Sequence, residues 1–245
     1  MSEKSTYPYE VEVCVLNKDG FLTPTGYQRI IVNTTEKDLK RKGISVPEMM
    51  EKFNVTWILL SLSVEIYKPV KEGSVLNVTT WHTYKKGIMF RREVEMRNEQ
   101  NEVVAVGATY SSLIDLNKRR ICMDRSIYDQ INLPEGEELF TAKSKAEING
   151  EFEFSEEIAV RPSWIDSFNH VNNFRYGELA FDNLPEEYYL KIANISRFEI
   201  FFTGELRLGE SVKISRKQIE NGIEIKGEHS SDSRSAFFAK MLFNS

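Results

Sequence analysis

Two stretches of this chain resemble each other, and that internal repeat restricts the fold more than any other feature. Val64 to Val78 reads VEIYKPVKEGSVLNV, and Phe198 to Ile214 reads FEIFFTGELRLGESVKI. Both copies contain Glu-Ile-aromatic near the start and a Gly followed closely by Ser and Val, and the second copy is two residues longer before that Gly. Such self-similarity is typical of a duplicated structural unit. With 245 residues the chain has room for two compact units of roughly 100 to 150 residues each.

The first half has the pattern of a strand, a helix and then several strands. Apolar residues alternate from Tyr9 to Val15, which predicts a half-buried strand. They then recur at helical spacing between Tyr27 and a stop at Gly43, which predicts one central helix. From Val55 to Leu116 β-branched and aromatic residues are separated by turn-like segments, as in an antiparallel meander. We therefore expect the α+β class, with an antiparallel sheet wrapped around a helix.

The second half repeats this order after a polar, turn-prone stretch. A strand is predicted around Phe152 to Ile158, a helix from Val171 to Phe181, and further strands from Phe198 onward. We expect an N-terminal unit at residues 1–131, a linker at 132–150 and a C-terminal unit at 151–245.

Net charge and cysteine content limit the classes of binding partner and the compartment that we expect. The formal net charge is −5 and the sequence pI is about 5.5, which disfavours nucleic acid and anionic membranes. No apolar run approaches the roughly 18 to 20 residues of a membrane span. The N-terminal sequence has no signal-peptide pattern, and Cys14 and Cys122 lie far apart, so we expect a cytoplasmic protein without disulfides.

Polar residues that can do chemistry cluster where the second helix should begin. Within eight residues lie Asp166, Asn169, His170, Asn172 and Asn173. A helix N-terminus offers unpaired N–H groups and a positive dipole, which can hold a carboxylate or a developing oxyanion. Hydrolysis of a thioester requires such a donor together with a base or nucleophile. The alternative is that these residues only cap the helix, since Asp and Asn are favoured N-cap residues.

The same segment carries a resemblance to a known family. Asp166-x-x-x-His170-Val171-Asn172-Asn173, followed by Tyr176, resembles the D-x-x-x-H-V-N-N-x-x-Y signature of hot-dog thioesterases. The segment WHTYKKGIMFRREVEMRNEQNEVVAVGATYSSLIDLNKRR at 81–120 resembles the acyl-ACP thioesterase family of plants and bacteria. The resemblance implies a tandem (double) hot-dog fold, and hydrolysis of fatty acyl-acyl carrier protein to free fatty acid.

By this resemblance the catalytic residues are Asp166, His170 and the downstream Glu205. Asp166 would act as nucleophile or as general base toward water, and both routes remain open; His170 and Glu205 would position water or transfer a proton. Family members often have an essential Asn two residues before the His, where this chain has Phe168. The nearest amide, Asn169, is therefore a further catalytic candidate.

Substrate contacts are also implied by the resemblance. The oxyanion donors would be backbone N–H groups near Val171 and Asn172, and Asn172 and Asn173 are substrate-binding candidates. The acyl chain would lie in the first unit, where Trp57 and Met89 are candidates among the apolar residues. A basic patch would dock the acidic carrier protein, and its candidate residues are Arg91, Arg92, Lys118, Arg119 and Arg120.

Other chemistries find little support. The chain has no Gly-x-Ser-x-Gly motif, and two cysteines and three histidines are too scattered for a zinc site, so we expect no metal and no cofactor. Two alternatives stay open: an acyl-CoA thioesterase of the same fold, and a non-catalytic module that binds acyl chains or acyl carriers. Because hot-dog sheets can pair edge to edge, the two halves should pair with each other, and a homodimer is a further possibility.

Overall fold

The computed structural model describes residues 3–131 and 133–244, with Lys85 described by its backbone alone. The predicted segment boundaries at residues 1, 132 and 245 fall outside these residues. The elements of the first half are β1 Ser5–Glu10, α1 Pro24–Arg41, α2 Val46–Phe53, β2 Val55–Ile66, β3 Val75–Lys86, β4 Met89–Arg97, β5 Val103–Asp115, β6 Arg120–Ile121 and α3 Arg125–Gln130. The elements of the second half are β7 Glu153–Ala159, α4 Asn173–Asp182, α5 Glu186–Tyr189, β8 Ile195–Phe202, β9 Ser211–Ile219, β10 Gly222–His229 and β11 Ser235–Phe243.

All eleven strands form one antiparallel sheet. The order is β1-β3-β4-β5-β2-β8-β11-β10-β9-β7, with β6 paired to β5. The first five strands and the last five follow the same order from the edge inward, so the two halves are copies joined where β2 pairs with β8. Val64 and Phe198, which start the two repeated segments, are direct partners in this pairing. The predicted α+β architecture is confirmed: each half wraps its strands around a central helix, and the strands of both halves join in one sheet.

Helix α1 begins and packs as its sequence predicts. The Thr23 hydroxyl accepts the Gly26 N–H at 3.1 Å, and Pro24 occupies the first turn, where no N–H is needed. The buried face of α1 includes Ile31, which lies over Gly107 of β5. A Cβ at Gly107 would stand 2.5 Å from Ile31 Cδ1, so this Gly lets the helix lie directly on the sheet.

The two central helices cross near their N-terminal ends. The Gln28 amide on α1 donates to the Asn173 carbonyl, the first residue of α4, at 3.0 Å. Gly177 on α4 makes the approach possible, since a Cβ there would stand 2.2 Å from Gln28 Oε1. The start of the second helix is therefore held by the first half of the chain.

The segment between the halves crosses the sheet on the face opposite the helices. Its Glu137 carbonyl accepts the Trp81 indole N–H at 2.9 Å, and its Lys143 carbonyl accepts the Ser61 hydroxyl at 2.8 Å. Arg197 on β8 of the second half donates to the Thr141 carbonyl at 2.6 Å. Described residues 133–150 contain no helix or strand, and their backbone groups are satisfied in part by side chains of the sheet.

Two predictions about elements are wrong. The predicted strand Tyr9 to Val15 ends at Glu10, and Val13–Val15 forms a 3₁₀ turn. The chain turns there because the Val15 carbonyl accepts both the N–H and the hydroxyl of Thr23, the cap of α1. The first half also contains α2 and α3, where only one helix was predicted. Among the described residues, no helix is long and apolar enough to cross a bilayer.

Candidate active site

A tight loop presents most of the predicted catalytic residues ahead of α4. It is closed by a bridge between Ile165 and Val171 and by the Asp166 N–H, which donates to the His170 carbonyl at 2.9 Å. Asn169 has a φ of 69°, a left-handed conformation that Asn tolerates better than most residues. Its side chain is exposed, and its backbone N–H donates to the Asp166 carbonyl at 3.1 Å. Asn169 thus serves the turn, and its catalytic role stays a prediction.

One of the two carboxylate oxygens of Asp166 is hydrogen-bonded within this loop. Oδ1 accepts the N–H of Phe168 at 2.8 Å and, more weakly, that of His170 at 3.4 Å. Oδ2 has no hydrogen-bond partner among residues 3–131 and 133–244. Capping therefore accounts for one oxygen of Asp166, and the other remains available to a water molecule or a carbonyl carbon.

His170 and Glu205 come together from separate segments. Nε2 of His170 lies 2.9 Å from Oε2 of Glu205, and the histidine side chain is only 16% exposed. Glu205 lies in the β8–β9 connection, within the longer segment of the second repeat. The buried hydroxyl of Tyr176 on α4 holds this connection, because it accepts the Leu206 N–H at 3.0 Å and donates to the Gly204 carbonyl at 3.2 Å. Burial raises the pKa of Tyr176 to about 12, so the hydroxyl stays protonated near neutral pH.

Two arginines lie against the same histidine nitrogen. Nη2 of Arg207 is 3.3 Å from His170 Nε2, and Nη2 of Arg119 is 3.5 Å from it. Arg207 also lies 3.6 Å from Glu205 Oε2. Sequence reasoning did not identify Arg207, although it follows Glu205 by two residues, and it assigned Arg119 to docking alone. Arg119 comes from the hairpin between β5 and β6, so both halves of the chain contribute to the site.

The first half contains the same loop without the side chains that were predicted to be catalytic. Leu16 and Leu22 form the equivalent bridge, and Asn17 Oδ1 accepts the N–H of Asp19 at 3.1 Å and of Phe21 at 2.8 Å. Asn17 thus does for the first copy what Asp166 does for the second. Since a neutral amide oxygen closes this loop equally well, the charge of Asp166 exceeds what the loop requires.

The partners of Asp166 are replaced in the first copy as well. Phe21 occupies the position of His170. The N–H of Leu22 donates to Val70, as that of Val171 donates to Leu206, each at 2.8 Å, which places Pro69 where the second copy has Glu205. At these three positions, side chains able to accept or transfer protons therefore occur in the second copy and not in the first.

The two backbone N–H groups expected to bind an oxyanion at the start of α4 already donate hydrogen bonds within the protein. The N–H of Val171 donates to Leu206 at 2.8 Å and that of Asn172 to Trp164 at 2.9 Å, so neither is free for an oxyanion. The Asn172 side chain caps α4 by accepting the Phe174 N–H at 3.0 Å. Substrate binding by Asn172 and Asn173 stays a prediction.

Two of the five basic residues predicted for docking are buried, and that part of the prediction is wrong. Arg91 and Arg92 are each 3% exposed. They alternate across the strand: Arg91 Nε pairs with Glu93 at 2.6 Å on the linker side, and Arg92 Nη1 pairs with Asp38 of α1 at 2.7 Å on the helix side. Burial alone raises the pKa of Asp38, but the Arg92 charge reverses this and holds it below its usual value. Lys118, Arg119 and Arg120 are exposed.

Of the two apolar candidates, Trp57 packs against a second hydrophobic cluster of the first half, which includes Phe90 and Tyr128. Trp57 donates its indole N–H to the Ile44 carbonyl at 2.7 Å and packs edge-on to Phe90, with ring centroids 5.0 Å apart. Met89 is half-buried at the start of β4. A cavity of about 180 Å³ borders this cluster at Phe90 and His82. Another, of about 210 Å³, lies on the outer face of the second half between Lys143 and Lys240.

Neither cavity is lined by Asp166, His170 or Glu205. Both are smaller than the roughly 300 to 1,000 Å³ of ordinary ligand pockets. In the part of the chain that is described, no group of three or more His, Cys, Asp or Glu is arranged to hold a metal ion.

Comparison with known proteins places this architecture. The family model described as the acyl-ACP thioesterase N-terminal domain matches residues 4–131, and that of the C-terminal domain matches residues 148–241. An acyl-ACP thioesterase from Bacteroides thetaiotaomicron is 21% identical, with a TM-score of 0.87 over 98% of each chain. The 12:0-ACP thioesterase from Umbellularia californica is 14% identical, with a TM-score of 0.83 over 98% of this chain and 97% of that one. A search of curated proteins gave no match. These structures share the fold, and with the two matched domains the chain belongs to the acyl-ACP thioesterase family.

Proposed function

We propose that Asp166, His170 and Glu205 hydrolyse the acyl-ACP thioester, the reaction of this family. Water adds its oxygen to the thioester carbonyl carbon, the carbon–sulfur bond breaks, and the products are a carboxylate, a thiol and one proton. The observation that carries the assignment is the comparison of the two loops. The copy with Asn17, Phe21 and Pro69 has the same hydrogen bonds, so the acid, the imidazole and the second carboxylate are not needed for folding.

Asp166 can act in two ways. As a general base, Oδ2 takes a proton from the water that attacks the carbonyl. As a nucleophile, Oδ2 bonds to the carbonyl carbon and expels the thiolate, which gives an anhydride that water then hydrolyses. In either route His170 and Glu205, 2.9 Å apart, form the pair that can pass a proton to the departing sulfur.

The two units are proposed to have different roles in catalysis and substrate binding. The C-terminal unit carries the reaction, and the N-terminal unit measures the acyl chain through apolar residues that include Trp57 and Met89. The exposed Arg119 and Arg120 are proposed to dock the acidic carrier protein, whose phosphopantetheine arm delivers the thioester. Reversing the charge of Arg120 should raise KM for acyl-ACP and weaken its dependence on salt.

The central test uses Asp166→Asn on a panel of acyl-ACP substrates that differ in length and saturation. Asn17 shows that an amide oxygen can close the loop, so the variant should fold, while kcat falls about a hundredfold or more. Asp124→Asn is the matched control, because Asp124 Oδ1 accepts the Ser126 N–H at 3.0 Å in a similar cap far from His170 along the chain. If both variants keep full kcat, Asp166 is a capping residue and the proposed catalytic site is wrong.

Two further proposals have separate tests. Turnover of acyl-CoA and acyl-ACP with the same chain distinguishes the carrier-protein substrate from the CoA alternative, and binding without turnover would favour the non-catalytic module. Since the β2–β8 pairing already joins two hot-dog units within one chain, we propose that a monomer suffices for the site. A homodimer, which light scattering would detect, stays a prediction, as does the cytoplasmic location.

A further inference from the structure

The hairpin that carries Arg119 is held rigidly. Asp115 Oδ1 accepts the N–H groups of Asn117 and Lys118, both at 3.0 Å, and the Asp115 carbonyl accepts the Arg119 N–H at 2.8 Å. Arg119 has a φ of 50°, a left-handed backbone conformation that residues other than Gly seldom adopt. The short pairing of β6 with β5 continues directly from this turn. The fold therefore fixes the direction in which Arg119 leaves the hairpin, and that direction is toward His170.

The charge of Arg119 is not neutralised where it lies. Among the residues that the structure describes, Arg207 is ion-paired with Glu205 at 3.6 Å, whereas Arg119 has no carboxylate partner. Its nearest charged or titratable contact is His170, at 3.5 Å. A guanidinium next to this imidazole and not paired with a carboxylate can present N–H donors to a substrate oxygen bound beside His170.

The reaction needs such a donor. Attack on a neutral thioester places negative charge on the carbonyl oxygen, and enzymes stabilise that charge with fixed hydrogen-bond donors. The N–H groups of Val171 and Asn172 are occupied by backbone carbonyls. Of the two guanidiniums on His170, that of Arg119 is the one without a carboxylate.

We infer that Arg119 of the N-terminal half is a catalytic residue, whose guanidinium donates to the thioester oxygen in the site of the C-terminal half. As the nucleophile bonds to the carbonyl carbon, the carbonyl π pair moves onto the oxygen facing Arg119. When the carbonyl re-forms, the thiolate leaves and takes a proton from the solvent or from His170. Arg119 keeps its own protons throughout. This inference rests on the proposed function.

Arg119→Met tests the inference because it removes the charge and keeps much of the side-chain length. The substrates are acyl-ACP and the N-acetylcysteamine thioester of the same chain, which has no carrier protein to dock. Loss of a single oxyanion donor should lower kcat about a hundredfold to a thousandfold on both substrates. Arg125→Met, an exposed arginine in α3, serves as the unchanged control. Methylguanidinium added to Arg119→Ala should restore part of the rate.

A pure docking role predicts a different pattern. Arg119→Met would then raise KM for acyl-ACP, as Arg120→Met should, and would leave kcat on the small thioester unchanged; that result overturns the inference. If Arg119→Met does not fold, Arg119→Ala is assayed without methylguanidinium, and a full kcat on the small thioester likewise overturns the inference. Loss of activity in Asp166→Asn alongside would show that the proposed function survives this failure.

Discussion

Removing one hydroxyl group from Tyr176 should impair the reaction without unfolding the protein. Tyr176 is 2% exposed, and its hydroxyl joins the two backbone groups on either side of Glu205. In Tyr176→Phe the Leu206 N–H loses its partner in a fully buried position. The Gly204 carbonyl is partly exposed and can bond to water instead. The connection that presents Glu205 to His170 then loses both of its anchors to α4.

The magnitude follows from these two groups. A buried N–H left without a partner costs about 1 to 3 kcal/mol, and the hydrated carbonyl adds little. Tyr176→Phe should therefore lower the free energy of unfolding by about 1 to 3 kcal/mol. Catalysis should suffer more, since misplacing a positioned group by about 1 Å can cost about a hundredfold in rate. We expect kcat to fall at least about tenfold.

Tyr188→Phe provides the matched control. The Tyr188 hydroxyl is buried in the same half and donates to the Gly222 carbonyl at 3.0 Å, away from Glu205. Both variants would be compared by urea unfolding and by steady-state hydrolysis of acyl-ACP. The expected result is a similar loss of stability and a fall in kcat for Tyr176→Phe alone. Equal and unchanged kcat values would refute the idea that Tyr176 positions Glu205.

Three predictions concern stability. Burial, and next the charge of Arg92, hold the pKa of His82 well below its usual value, so His82 is neutral in the fold and gains a proton on unfolding below about pH 6.5. The contribution of neutral His82 to stability should therefore be fully present above about pH 6.5. Below that pH the free energy of unfolding should fall by up to about 1.4 kcal/mol per pH unit. His82→Gln should flatten this slope in urea titrations between about pH 5 and 6.5. Arg92→Met removes one cationic partner of the buried Asp38 carboxylate, which keeps Lys42 at 3.1 Å and Arg41 at 3.4 Å, and should cost about 1.5 to 3 kcal/mol by urea unfolding; a loss well below about 1 kcal/mol, the value of an exposed pair, would contradict it. Gly177→Ala should cost about 1 to 3 kcal/mol in the same assay through the clash with Gln28, and Gln28→Ala in that background should restore part of the loss.

The repeat and the alternation of apolar residues predicted the architecture because both reflect how a strand is buried. The copies that begin at Val64 and Phe198 lie side by side in β2 and β8, where the halves join. The first strand was predicted too long because Val13 and Val15 continue the alternation after the chain has left the sheet. Alternation reports burial, and Val15 is buried against the start of α1 rather than in a strand.

Neighbouring basic residues were harder to interpret because sequence does not show where a charge is neutralised. Arg91 and Arg92 look like part of a surface patch, yet consecutive residues of a strand face opposite sides. Each meets a carboxylate that the sequence places elsewhere, Glu138 in the linker and Asp38 in α1. The sequence places Arg119 on an exposed hairpin. It does not show that Arg119 has a left-handed backbone conformation there, from which its side chain extends toward His170.

The two copies of the loop separate what folding requires from what catalysis requires. Capping and catalysis predict the same residue at Asp166, since an N-cap and a general base both call for an oxygen acceptor. The copies differ in the next positions, where capping makes no demand: Phe21 against His170, and Pro69 against Glu205. A loop selected only to begin a helix has no reason to bring an imidazole within 2.9 Å of a carboxylate from another connection. The first copy lacks these groups, and its half of the chain instead holds the start of α4 through Gln28 and brings Arg119 to His170. The proposed reaction therefore draws on both halves, although its proposed acid and base lie in one.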